Sequence, residues 1–251
     1  MRYGDLAVSV HDEPAAMGRA VAEAFASAVR RRVEADGSVG VVVQTGGSQR
    51  PFYEALADRS DIDWSRVELF HLDEFVGLSG EHPVSFRRWI REHVAERFGV
   101  RAFHELRGDA PDPEAEARRY GALLRDRAPQ VAVMSIGEEG QLGFNEPPAE
   151  LVTLEPVLVV ALAAASRQAL VGSGGFEDLE DTPSRVLTMS VPALLAAETV
   201  LVVVPEQRKA GPVQAALEGP VTRAVPASAL RLCPRAHLHL DRASASALAR
   251  D

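Results

Sequence analysis

Ser135-Ile-Gly-Glu-Glu-Gly-Gln-Leu-Gly-Phe-Asn-Glu-Pro147 is the stretch around which the chain is organised. It follows Gln130-Val-Ala-Val-Met134, an apolar run short and β-branched enough to read as a buried strand. Gly137, Gly140 and Gly143 stand among the carboxylates Glu138, Glu139 and Glu146. Glycine permits a sharp turn and close approach of a ligand to the backbone. Carboxylates at the end of a parallel strand point to acid–base chemistry, because open α/β sheets bind ligands at the carboxyl ends of their strands. An ordinary polar loop has the same composition, so the reading depends on what the rest of the chain adds.

Upstream, Leu6–Val10 reads as a first strand, and a helix begins near Asp12, taken as N-cap, with Pro14 in its first turn. Met17, Val21, Phe25, Val29 and Val33 step along one face of it until Gly37. Val39–Gln44 is a strand buried on both faces by composition, followed by Thr45-Gly46-Gly47-Ser48 and a helix with Phe52 and Leu56. A strand, two glycines, a serine and a helix suit an anion, because glycine-freed N–H groups and the helix N-terminus carry partial positive charge. A tight turn with Ser48 as a plain N-cap is the competing reading. No Lys-[Ser/Thr] follows, which excludes a nucleotide P-loop. Arg66–His71 is a third strand and delivers Asp73-Glu74, either a reactive pair or caps for the next turn.

Downstream, Ser85 caps a helix carrying Phe86, Trp89, Ile90 and Val94, and Glu114 to about Asp126 forms another. Val157–Ala161, Arg185–Met189, Thr199–Val204 and Ala236–Leu240 are further strands. Gly172-Ser-Gly-Gly175 has the hinges a closing lid needs, or is a surface loop. The alternation of strand and helix predicts an α/β fold: a mostly parallel central sheet with helices on both faces, Rossmann-like, with a lid segment. No repeat or linker interrupts it, so residues 1–251 are expected to form one domain.

The net charge of −9 argues against nucleic-acid and anionic-membrane partners, which need clustered positive charge. It leaves room for a phosphorylated small molecule. Cys233 is the single cysteine, so no internal disulfide forms. No apolar run reaches the roughly 18 residues of a membrane span, and the N-terminus lacks a signal-peptide pattern. The expected compartment is the cytoplasm. His237 and His239 share a strand face without an acid or cysteine at matching spacing, so no metal is expected, nor any cofactor. His71 is placed either to orient Asp73 or as a satisfied core histidine.

Gln44-Thr-Gly-Gly-Ser48, Phe70-His-Leu-Asp-Glu-Phe-Val-Gly-Leu78, Glu81-His-Pro-Val-Ser85, the run Gly108 to Glu116, and Phe144-Asn-Glu-Pro147 together resemble the glucosamine-6-phosphate deaminases. The resemblance extends from about residue 7 to 241, and the family's wider group includes 6-phosphogluconolactonases. It implies that Thr45, Gly46, Gly47 and Ser48, with Gly137, Arg167 and Lys209, hold a sugar phosphate. It implies that Asp73 carries a proton from C2 to C1 of the open-chain sugar, giving the ketose and ammonia. It places Glu139 and Glu146 as acids flanking a ring-opening histidine. At that histidine's position stands Gln141, whose amide cannot exchange a proton near neutral pH. Either the longer Glu139 acts on the ring oxygen instead, or the chain is a paralogue that binds a sugar phosphate without turnover. A lactonase-like hydrolase is a third alternative, which the Phe144–Pro147 motif argues against.

Overall fold

A computed structural model describes residues 1–172 and 174–249. Its strands are β1 (Arg2–Tyr3), β2 (Leu6–His11), β3 (Val39–Val43), β4 (Val67–His71), β5 (Asp73–Phe75), β6 (Ala102–His104), β7 (Val131–Met134), β8 (Val157–Ala161), β9 (Arg185–Met189), β10 (Thr199–Val204) and β11 (Ala236–Asp241). Eight of them form the central sheet in the order β1-β2-β11-β10-β7-β3-β4-β6. Every pairing in it is parallel except that of β1 with β2.

β3 and β7, in the middle of the sheet, are apolar at every position because both faces are covered. All five residues of β3 are buried. Val41 and Val43 pack with Met17, Val21 and Phe25 of the helix Pro14–Asp36, whereas Val42 faces the opposite core with Tyr120 of the helix Pro113–Arg127. Helices therefore flank both faces, as expected.

Three local features differ from the sequence reading. The first helix starts at Pro14 after Glu13, which makes no side-chain cap, and Asp12 instead pairs with Arg242 at 2.6 Å. Pro14 already lacks the N–H that a cap would satisfy. The helix capped by Ser85 is interrupted by a π-helical segment, Arg91–Ala95, before it ends at Gly99. Most consequential, β8 and β9 lie outside the central sheet. With β5 they form a separate antiparallel sheet, in the order β5-β9-β8. Only Val157 of β8 is buried, in keeping with a strand that covers a site rather than one sandwiched between helices. In the glycine-rich segment 172–175, Ser173 falls outside the described residues, and so does that part of the expected lid. Among the described residues no helix is long and apolar enough to cross a membrane.

The helices Pro14–Asp36 and Arg50–Ala57 cross at Gly18, where an added Cβ would lie 2.2 Å from the carbonyl oxygen of Pro51. That neighbour is backbone and cannot swing aside. Gly18→Ala is expected to destabilise the fold by about 1–3 kcal/mol, the scale of overpacking. A lowered urea midpoint with unchanged slope would register it; an unchanged midpoint would mean the crossing is looser than described.

Candidate active site

Chain progression reverses between β3 and β7: β3, β4 and β6 run outward on one side, and β7, β10 and β11 on the other. Such a switch point splays the loops at the carboxyl ends and opens a crevice there. Gln44, just after β3, spans it by accepting a hydrogen bond from the Ser135 N–H, just after β7, at 2.7 Å. Beside this bridge lies a cavity of about 220 Å³ lined by Gln44–Ser48, Asp73, Ser135–Gly137, Gln141, Gly143 and Lys209, with Phe86 and Phe144.

One wall is the glycine turn. Gly46 has φ 106°, a conformation that favours glycine, and leads into a 3-10 turn, Gly47–Gln49, that continues as the helix Arg50–Ala57. Ser48 caps neither segment with its side chain, so the plain N-cap reading does not hold. As at any helix start, the leading N–H groups lack intrahelical acceptors, which suits an anion. The cation is Lys209, only 6% exposed, in the turn Gln207–Lys209 after β10. Among the described residues no carboxylate lies within ion-pair distance of it, and burial lowers its pKa. Arg208 faces the other way, bonded to Glu206 at 2.6 Å and to Glu138, tying the loop after β10 to the loop after β7.

The acid pair after β4 is divided. Glu74 is wholly buried and accepts from the Phe75 N–H at 2.9 Å, the Ser85 hydroxyl at 2.7 Å and the Arg87 N–H at 2.7 Å. It fastens β5 to the start of the helix at Phe86. Asp73, 3% exposed, faces the cavity, and its Oδ2 has no hydrogen-bond partner. Burial first, then the Glu74 charge, raises its pKa well above the usual carboxylate range. His71 bonds the backbone of Asp73, not its carboxylate. Its Nε2 accepts from the Leu106 N–H at 2.8 Å, which leaves Nδ1–H to donate to the Asp73 carbonyl at 3.1 Å. Burial lowers its pKa to about 3, so it is a neutral, satisfied core histidine.

In the loop after β7, Gly143 has φ 58°, and a Cβ there would lie 2.4 Å from Leu72 and 3.4 Å from Asp73 Oδ2. Gln141 folds over Gly137, where a Cβ would meet its amide carbon at 2.1 Å. Its Oε1 accepts from the Glu139 N–H at 2.9 Å. Asn145, buried, donates to the carbonyls of Leu142 and Met189, clasping this loop to β9.

The structure thus gathers Thr45, Gly46, Gly47, Ser48, Asp73, Gly137, Gln141 and Lys209 around one cavity. It does not bring the remaining three there. Glu139 is exposed and is not among the residues lining the cavity that its longer side chain was expected to enter. Glu146 accepts from the Ala163 N–H at 2.9 Å, its other oxygen buried and unpaired. Arg167 donates to the carbonyls of Leu179 and Thr182 in its own covering segment and does not line the cavity. Gln44, Ser135, Phe86 and Phe144 were not foreseen as lining. The available signal was Gln44, an amide ending a strand of valines. His237 bonds Ser9 at 2.8 Å and His239 contacts His11 at 3.2 Å, at the far side of the sheet order from β3. Among the described residues no side-chain group has the make-up to hold a metal ion.

An α/β sheet with a glycine turn and a buried acid at its switch point is the frame in which the chain's relatives are compared. Residues 12–238 match the family described as glucosamine-6-phosphate isomerases/6-phosphogluconolactonase, and the chain belongs to that family. It is 35% identical over 237 residues to a glucosamine-6-phosphate deaminase of Streptomyces coelicolor, covering 92% of this chain and 88% of that one. It is 32% identical to one of an Exiguobacterium species, over 87% of this chain and 84% of that one. A solved monomeric glucosamine-6-phosphate deaminase matches with a TM-score of 0.87 and 25% identity, over 96% of this chain and 100% of that one. A 6-phosphogluconolactonase from Shewanella baltica, TM-score 0.77 at 20% identity over 96% and 100% of the two chains, shares the fold.

The divided pair yields a prediction of opposite signs. Glu74→Gln keeps the shape but removes charge-assisted acceptors, and is expected to cost about 1.5–3 kcal/mol. Burial raises the pKa of Glu74 too, against the donors that bond it, whereas no donor meets Oδ2 of Asp73. The folded pKa of Asp73 is raised, so its contribution to stability is present below the unfolded value of about 3.9 and is lost as pH rises through the folded value. Asn cannot ionise, so Asp73→Asn should gain on the parent as pH climbs above about 4. Urea midpoints of the three proteins between acid and neutral pH test this; a flat or shrinking difference for Asp73→Asn would mean the carboxyl is solvated.

Proposed function

We propose that the chain is an amino-sugar-phosphate isomerase/deaminase of the glucosamine-6-phosphate deaminase type. The observation that carries this reading is the unpaired, buried Asp73 in the same small cavity as the glycine turn and Lys209. The deaminases among its relatives supply the substrate class. A site that only bound a sugar phosphate would have use for the turn and the lysine but none for a desolvated acid without a partner.

In this reading the leading N–H groups after Gly46 and the Lys209 ammonium hold the phosphoryl group, charge-assisted hydrogen bonds supplying most of the affinity. Asp73, once ionised, is a stronger base than a solvated carboxylate because burial disfavours its charge. It removes the C2 proton of the open-chain aldose while the C1 oxygen takes up a proton, giving an enol. It returns the proton to C1, leaving an imine at C2 that water hydrolyses to the ketose phosphate and ammonia. Gln141 occupies the position of the ring-opening histidine in the family pattern. Its amide accepts from Glu139 and does not relay protons, so opening of the cyclic sugar is the slow step. The neutral Gln141 and the outward Arg167 favour one alternative, a non-catalytic sugar-phosphate-binding paralogue.

Exchange of the C2 hydrogen of glucosamine 6-phosphate with deuterated water separates the two. The parent should exchange it, and Asp73→Asn should lose at least about 10²-fold in rate while still binding the ligand. Lys209→Ala should instead weaken binding by about 1.5–3 kcal/mol. Absence of exchange in the parent for every hexosamine and hexose 6-phosphate tried would leave the binding role. Gln141→His should raise turnover of the cyclic sugar more than that of one supplied open-chain; equal effects would remove Gln141 from ring opening.

A further inference from the structure

A second, larger cleft of about 720 Å³ opens between the helix Arg50–Ala57 and the helical stretch that starts at Phe86. It shares Thr45, Gly46, Gly47 and Phe86 with the smaller cavity. The glycine turn is therefore a wall common to both, and an anion held there can carry its substituent into either. A hexose phosphate directed at Asp73 occupies the smaller one and leaves the cleft unused.

The cleft's own chemistry is aromatic and fixed. Tyr53 and Trp89 stand with ring centroids 5.2 Å apart. The Tyr53 hydroxyl donates to the Gln44 carbonyl at 2.9 Å, and one face of Trp89 is covered by His93 at 4.7 Å and 7°. Rings held in this way lose little freedom when a flat ligand packs on them. The π-helical segment Arg91–Ala95 directly follows the turn bearing Trp89, and such bulges are frequent at functional sites. Around the rim, Glu54 is paired with Arg50 at 2.7 Å, Asp58 offers a carboxylate acceptor, and Arg97 forms no ion pair among the described residues.

We propose that this cleft binds a nucleoside 5′-monophosphate, with the phosphoryl group on the Thr45–Ser48 turn, the base against Trp89 and Tyr53, and the ribose hydroxyls toward Asp58. Arg97 supplies donors to the base edge. Because one turn serves both cavities, the nucleotide and the sugar phosphate exclude one another, and the nucleotide competes with substrate without entering the acid's cavity. The inference rests on the reading of Thr45–Ser48 as a phosphate site and not on turnover.

Calorimetric titration of the full chain with AMP and UMP, beside adenosine, inorganic phosphate and glucosamine 6-phosphate, tests it. At least one nucleotide should bind tenfold or more tightly than adenosine or phosphate alone and be displaced by the sugar phosphate. Trp89→Ala, and Ala57→Trp filling the cleft from the opposite wall, should each lower nucleotide affinity tenfold or more and leave glucosamine 6-phosphate affinity unchanged. The second variant guards against a local collapse in the first. Binding of the sugar phosphate but of neither nucleotide, or nucleotide binding that both variants leave intact, overturns the inference alone. Binding of no phosphorylated ligand overturns it together with the phosphate-site reading. Nucleotide binding without C2 exchange sustains it while the proposed activity fails.

Discussion

The site depends on one buried carboxylate with a full set of donors. Glu74 accepts from two N–H groups at the start of the helix at Phe86, from its own neighbour's N–H and from the Ser85 hydroxyl. A wholly buried acid is tolerable only with such compensation. By fastening β5 to that helix, it fixes the corner at which β4 leaves the central sheet. It thereby sets the direction of Asp73, one residue earlier on the opposite face. Asp73 has no comparable compensation, and the difference between two adjacent residues of the same chemistry is the electrostatic asymmetry of the site.

The surrounding loops are arranged to keep that asymmetry. The Gln44 bridge to Ser135 locks the glycine turn against the loop after β7, and Arg208 with Glu138 locks that loop to the one bearing Lys209. Glu206 takes φ 81° at the foot of this last loop, a strained conformation for a residue with a side chain, and its N–H is held by Asp241 at 3.1 Å. Three strand ends are thus linked by polar contacts, none of which engages Asp73 or Lys209. By contrast β8 and the helix Ala164–Gly172 are less buried, and Arg167 makes its bonds within that covering segment.

How much of this was legible in the sequence follows from burial. β3, β7 and β10 are sandwiched between helices, so every position but Thr199 is apolar and the runs Val39–Val43, Val131–Met134 and Thr199–Val204 read directly as parallel strands. β5 is Asp-Glu-Phe, and two acids in three residues read as a turn, which concealed the second sheet. Glycines at Gly46 and Gly143 marked the turns because their positive φ demands them. What sequence could not assign was side-chain direction. It could not say which of Asp73 and Glu74 was the cap, or whether Arg167 faced the turn or its own loop, since both depend on contacts many residues away.

The account's central claim is that Asp73 is a desolvated acid whose Oδ2 has no partner, facing a cavity lined by both polar and apolar groups. Carbon-13 NMR of the carboxyl groups, with Asp73 assigned by comparison with Asp73→Asn, measures its titration directly. The account predicts that in the ligand-free protein this carboxyl stays protonated well above the range in which the exposed aspartates titrate. Titration of Asp73 together with those surface groups, near the ordinary value of about 4, would contradict it.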